Sequence, residues 1–158
     1  MASLDMTGMR PELRLQRRLI DTLYGEAMLL ADEARSYFDE AGRDDRDALD
    51  PLLRVSFSCE SLKVTTRLMH VIAWVMIQRA VEAGEVPATT ALDPRHRLGP
   101  APVTDATLLA QLPSRARDLI EASTDLHRRV ALFDIAQGEV DGEISPVASL
   151  QQRIATAF

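Results

Sequence analysis

Apolar positions recur every three or four residues along three long stretches of the chain, and helix-breaking residues mark where each stretch ends. The clearest runs from Asp50 to Gly84. Asp50 has the short acceptor side chain of a helix N-cap, and Pro51 falls at N1, where its missing N–H costs nothing. Gly84 is a natural C′ stop. No Gly or Pro interrupts the residues between, so the pattern predicts one helix of about 32 residues, roughly 50 Å long. Leu53, Phe57, Val64, Leu68, Val71 and Val75 form one apolar stripe on it. Leu62, Met69, Ile72, Ala73, Met76 and Ala80 are assigned to a second stripe beside the first. Together they make an arc wider than the roughly 100° of an ordinary surface helix. Such a helix needs two neighbours, which makes it the middle of a bundle.

A first helical pattern begins at Pro11, with Gln16, Leu19, Leu23, Ala27, Leu30, Ala34 and Tyr37 on one face, and is expected to stop at Gly42. Gly25 inside it suggests a close approach by another helix. Residues 42–49 are a short charged link, which makes the first two helices antiparallel neighbours. Residues 85–103 hold Pro87, Pro94, Pro100, Pro102 and Gly99 and read as an irregular surface crossover. Thr104–Leu112 fits a short helix capped by Thr104 or Asp105. A third long pattern starts at Pro113, with Ala116, Leu119, Ser123, Leu126, Val130 and Phe133 on one face, and is expected to end at Gly138. A Gly-containing acidic linker follows. Ser145-Pro146 then opens a small amphipathic tail with Val147, Leu150, Ile154 and Phe158. No internal repeat or sustained heptad emerges. The expected fold is an all-α three-helix bundle with a long central helix, a short extra helix before the third and a short C-terminal helical tail. Residues 1–11 would be a flexible arm, 12–138 the bundle, and 139–158 linker and tail.

Composition narrows the class. A chain of 158 residues, 46% apolar and 27% charged, is one ordinary globular domain, and 4% aromatics suits Leu/Ala-rich helices. The net charge of −6 argues against general nucleic-acid binding, which depends on neutralising phosphates. Cys59 is alone, which excludes an intrachain disulfide or a cysteine metal cluster and fits a reducing cytoplasm. The first residues lack the apolar core of a signal peptide. The longest apolar run, Leu68–Ile77, carries His70 and is about half of the 20 residues a membrane span needs. A cytoplasmic protein without membrane contact is expected.

No catalytic, cofactor or metal constellation is visible. His70 and Cys59 share a helix face but stand about three turns apart, roughly 16 Å, too far to hold one metal. His96 lies between Arg95 and Arg97 in the crossover, and His127 lies beside the core stripe of the third helix. All three histidines read as structural or surface residues. Asp44, Asp45 and Asp47 resemble a calcium loop in composition only. One feature stands out. Ser56, Glu60, Lys63, Arg67, His70, Trp74 and Gln78 fall on a single stripe of the central helix, outside its apolar arc. It is either a solvated face or a contact surface. Because Trp and Arg are the usual interface anchors, Glu60, Lys63, Arg67, His70, Trp74 and Gln78 are the partner-binding candidates. The tail suits a partner groove or a fold back over the bundle.

The stretch Glu60–Ala80 resembles the RcdA-like family of bacterial regulators of cell-cycle proteolysis. The matching positions are Glu60, Ser61, Thr65, Thr66, Arg67, Leu68, Met69, Trp74, Gln78, Arg79 and Ala80, with Ala34, Tyr37 and Gly42-Arg43 flanking. The similarity extends over roughly residues 20–138, in keeping with a single domain. It implies a three-helix bundle that forms a homodimer and has no enzymatic activity. It further implies an adaptor that tethers regulatory substrates to a ClpX-ClpP unfoldase–protease. The partners so implied are a ClpX-type unfoldase, response-regulator-type factors and substrate proteins. The alternative is a helical DNA-binding or other protein-interaction regulator, the former suggested by Arg10, Arg14, Arg17 and Arg18 at the start and Arg115, Arg117, Arg128 and Arg129 on the third helix. The acidic net charge and the lack of a short helix-turn-helix pair oppose DNA binding.

Overall fold

The computed structural model describes residues 11–144. Five α-helices occur among them, and no strand. They are α1 (Pro11–Ser36), α2 (Arg43–Asp47), α3 (Pro51–Glu82), α4 (Ala106–Gln111) and α5 (Ser114–Ile144). The long helices α1, α3 and α5 form the bundle. α3 packs against both others, and α1 also touches α5. The arm and the amphipathic tail expected from the sequence lie outside the described residues.

α3 forms as its capping residues dictate. Asp50 is extended, and its carboxylate accepts from the Leu53 amide at 2.9 Å. At the other end Gly84 takes φ +73°, the left-handed conformation in which a side chain would be strained. The core is the junction of three stripes: Leu23, Ala27 and Leu30 of α1, Phe57, Val64, Val71 and Val75 of α3, and Ala116, Leu126 and Val130 of α5. Of the two stripes expected on α3, only the first points inward. Leu62, Met69 and Met76 are exposed, and Ile72 and Ala80 are half-buried.

Three glycine readings change. Gly25 has nothing near it that a Cβ would meet, so it marks no close helix approach. Gly42 is not a left-handed stop; its φ is −86°. α1 passes into a π-helical turn over Tyr37–Ala41, and a Cβ at Gly42 would come within 2.7 Å of the Tyr37 carbonyl oxygen. The link after it is largely helical, as α2, and Tyr37 ties it down by donating its hydroxyl to Asp45 at 2.8 Å. Burial and the Asp45 carboxylate together push the Tyr37 hydroxyl pKa up, so it keeps its proton. Gly138 does not end α5, which runs on to Ile144 through the expected linker. A glycine inside a helix costs only about 1 kcal/mol against Ala. Here it makes room: a Cβ would meet the Arg97 guanidinium at 2.9 Å.

The crossover packs onto the bundle. Two short 3₁₀ turns, Ala88–Leu92 and Pro94–His96, carry it out of α3, and it then lies against the seam between α3 and α5. Asp105 rather than Thr104 caps α4, accepting from the Thr107 amide at 3.4 Å.

Candidate functional site

Most of the polar stripe of α3 is buried rather than solvated. Glu60 and Arg67 are each 1% exposed, Trp74 2% and Gln78 4%, while Lys63 and His70 are half-buried. Burial takes Glu60, Arg67, Trp74 and Gln78 out of the expected partner-binding face, while Lys63 and His70 of that set stay partly accessible. Their polar atoms are turned inward, toward α5 and the crossover.

At the α4 end, Glu60 accepts from Lys63 Nζ at 2.7 Å and from the Thr104 hydroxyl at 2.6 Å. Lys63 Nζ also donates to the Val103 carbonyl at 3.0 Å. Arg67 spreads its guanidinium over three acceptors: the Pro102 carbonyl at 3.0 and 3.2 Å, the Thr104 hydroxyl at 2.8 Å and the Ser123 hydroxyl at 3.2 Å. Burial lowers the Arg67 pKa, and the Glu60 charge opposes that shift. The rigid guanidinium fork suits this task, because one buried cation must satisfy several fixed oxygens.

Midway, His127 of α5 is 9% exposed and its Nε2 lies 2.9 Å from the Gly99 carbonyl, which places the proton on Nε2. Burial lowers the His127 pKa; the Gly99 hydrogen bond works against this, and His70 and Arg67 nearby add to it. The His70 ring faces His127 at 6.5 Å and presses on Gly99, where a Cβ would come within 3.2 Å. His70 Nδ1 is buried with no hydrogen-bond partner among the described residues. At the far end Trp74 donates to Asp134, Arg97 joins the same carboxylate, and Gln78 and Gln137 exchange amide hydrogen bonds at 3.0 and 2.7 Å. The stripe is thus an internal latch that holds the proline-rich crossover onto the bundle.

α3 also presents an apolar row to solvent. Leu52 (77% exposed), Val55, Leu62 (67%), Met69 (64%) and Met76 run along its outer face, with Cys59, Thr66 and Ala73 exposed between them. Residues 52, 55, 59, 62, 66, 69, 73 and 76 alternate steps of three and four, the spacing of a coiled-coil seam. At about 100° per residue this seam lies close to half a turn from the Phe57–Val75 stripe, and it is roughly 36 Å long. The alternating spacing was the signal in the sequence. Leu62, Met69, Ala73 and Met76, expected in the inward arc, belong to this outward row instead.

At least four of the eight arginines considered for DNA have side-chain partners within the bundle. Arg129 pairs with Glu26 across α5 and α1 and with Asp125, Arg128 pairs with Asp125, and Arg17 reaches Glu82. Arg115 lies over the Tyr37 ring. Among the described residues there is no cluster of three or more metal-ligating side chains. No described helix is long and apolar enough to cross a membrane.

A three-helix bundle with a buried polar latch and an outward apolar seam defines an all-α helical scaffold whose accessible features suit contact with other proteins. The family model described as "Protein of unknown function (DUF1465)" matches residues 12–158. The solved structure of RcdA from Caulobacter crescentus CB15 is 34% identical with a TM-score of 0.60, covering 73% of this chain and 88% of that one. No curated protein matches in sequence. The chain belongs to the DUF1465, RcdA-like family.

Proposed function

We propose that this chain is a non-enzymatic adaptor in ATP-dependent proteolysis, acting in the cytoplasm as a homodimer. In this reading it tethers regulatory substrates to a ClpX-type unfoldase in cell-cycle control, with response-regulator-type factors among its partners and no part for nucleic acid. Membership of the RcdA-like family carries the proposal, and the 34% identity to RcdA over most of both chains supports it.

The homodimer is assigned to the outer face of α3, in place of the buried stripe. A seam with apolar residues alternating every three and four positions is self-complementary, so two copies related by a two-fold axis bury the same residues on each side. Leu62 and Met69 stand near its centre, where contact residues matter most. The test is light scattering coupled to size exclusion, first alone and then with a purified ClpX-type unfoldase and a candidate regulator. A dimer that co-elutes with the unfoldase supports the reading. A monomer that ignores the unfoldase with and without the regulator overturns it.

A further inference from the structure

At the end of the bundle away from α2, an apolar groove of about 540 Å³ opens between the start of α1, the end of α3, the Ala88–Leu92 turn and α5. Leu15 and Leu19 of α1, Val81 of α3, Leu92 of the turn and Phe133 of α5 line it, with Trp74. Leu15 is 60% exposed and Leu19 37%, so apolar surface stands open to water. Glu12 at the rim is the sole charged side chain lining it.

We propose that residues 145–158 of the same chain dock in this groove as an amphipathic segment. Three observations favour this occupant. First, α5 itself lines the groove with Phe133 and Gln137 and ends at Ile144, only about 10 Å further along the helix axis. The residues that follow Ile144 span about 21 Å as a helix and more when extended, enough to return to Gln137 and beyond. Second, Val147, Leu150, Ile154 and Phe158 are spaced at steps of three, four and four, a single stripe at helical period that matches the apolar lining. Third, Arg153 is the only charged side chain of the segment, and the one charge in the groove is the opposite one, Glu12.

The tethered segment also has a concentration advantage, since a short connection gives an effective concentration in the millimolar range. Residues 1–10 precede α1, whose first turns line the same groove, but Leu4, Met6 and Met9 follow no helical stripe in the sequence. The groove's volume lies in the range that takes a few side chains rather than a domain face. The inference does not rest on the adaptor reading.

The test uses the full chain with Cys59→Ser, which removes the exposed native thiol. In one variant Leu92→Cys is combined with Ile154→Cys; a control combines Ile154→Cys with Val103→Cys. Val103 is 83% exposed and sits by Lys63, roughly 27 Å along α3 from Val81. Under mild oxidation at low protein concentration, the groove pair is expected to close within one chain at least about tenfold faster than the control. Equal rates overturn the proposal, and so does a cross-link formed only between chains, which gives the groove to a second copy. Faster closure of Met6→Cys than of Ile154→Cys onto position 92 gives the groove to the N-terminal arm and likewise overturns the proposal. A second measurement is hydrogen exchange over Ala88–Leu92. Leu150→Glu with Ile154→Glu, substitutions confined to the segment, is expected to speed exchange there by at least about tenfold. Unchanged exchange overturns the proposal.

Discussion

Trp74 donates its indole N–H to Asp134 Oδ1 at 3.0 Å, and the same carboxylate oxygen accepts from Arg97 Nε at 2.8 Å. The only tryptophan of the chain therefore joins the central helix, the third long helix and the crossover at one atom. Arg97 adds a second bond, from Nη2 to the Asp134 carbonyl at 2.9 Å.

Trp74→Ala is expected to behave as a core truncation and cost about 3–5 kcal/mol. Trp74→Phe keeps most of the packing, and Asp134 keeps Arg97, so about 1–2 kcal/mol is expected. Urea unfolding followed by far-ultraviolet circular dichroism measures both. A full loss of dimer or partner binding by Trp74→Ala with stability unchanged would restore this residue to an interface.

Removing Arg67 strands the Pro102 carbonyl and leaves Glu60 with Lys63 as its cationic partner. Arg67→Ala is expected to cost roughly 1–3 kcal/mol, the cost of a buried acceptor left unpaired. Arg67→Lys should recover little, since one ammonium cannot reach Pro102, Thr104 and Ser123 in fixed directions. Amide exchange of residues 103–105 should accelerate in both variants. Exchange that stays at the native rate there would sink the idea of a latch.

Stability should depend on pH through His127. Its folded pKa lies below the ordinary imidazole value near 6.5, so below about pH 7 the unfolded chain binds more protons than the folded one. The contribution is complete above that range and is lost as the pH falls through 6.5 toward the folded value. His127→Gln should flatten the fall in stability between pH 7 and 5 relative to the unmodified chain. Glu82, whose pKa burial raises, and Asp125, whose pKa Arg128 and Arg129 lower, are common to both proteins and cancel in the difference.

On the outer face of α3, Leu62→Glu or Met69→Glu should leave the melting temperature of the monomer nearly unchanged, because surface substitutions usually stay within about 0.5 kcal/mol. Either is expected to abolish dimers, since a carboxylate would be buried against its own copy. Sedimentation at several concentrations reads the effect. Dimers of undiminished affinity in both variants would place the interface elsewhere.

Much of the scaffold was legible in the chain. Asp50-Pro51 and Gly84 bound α3 because capping is local chemistry, decided within a few residues. The inward faces of α1 from Leu23 to Ala34 and of α5 from Ala116 to Val130 followed largely from one apolar stripe on each. Gln16 and Leu19 of the α1 stripe are nevertheless exposed, and Ile20 and Ile120 are buried beside the two stripes. The likeness of Glu60–Ala80 to the RcdA-like family pointed to the right relatives. Gly138 was misread because a glycine looks the same whether it stops a helix or makes room for a neighbour. Only the position of Arg97 distinguishes the two.

α3 shows where the sequence by itself stops. Its length, its caps and its apolar content are properties of the chain, and so is the all-α class. Which way it faces is not. The helix has apolar residues on nearly opposite sides with a polar stripe between, so periodicity alone permits more than one rotation about its axis. The tertiary structure chose the one in which Phe57, Val64 and Val75 meet the core, and in which α5 and the crossover supply Ser123, Asp134, Thr104 and the Pro102 carbonyl as partners for Arg67 and Trp74. Buried polar groups are tolerated when every partner is in place. Across the latch, His127 and Gly99 included, those partners come from residues 28 to 60 positions away along the chain, where no local pattern reaches.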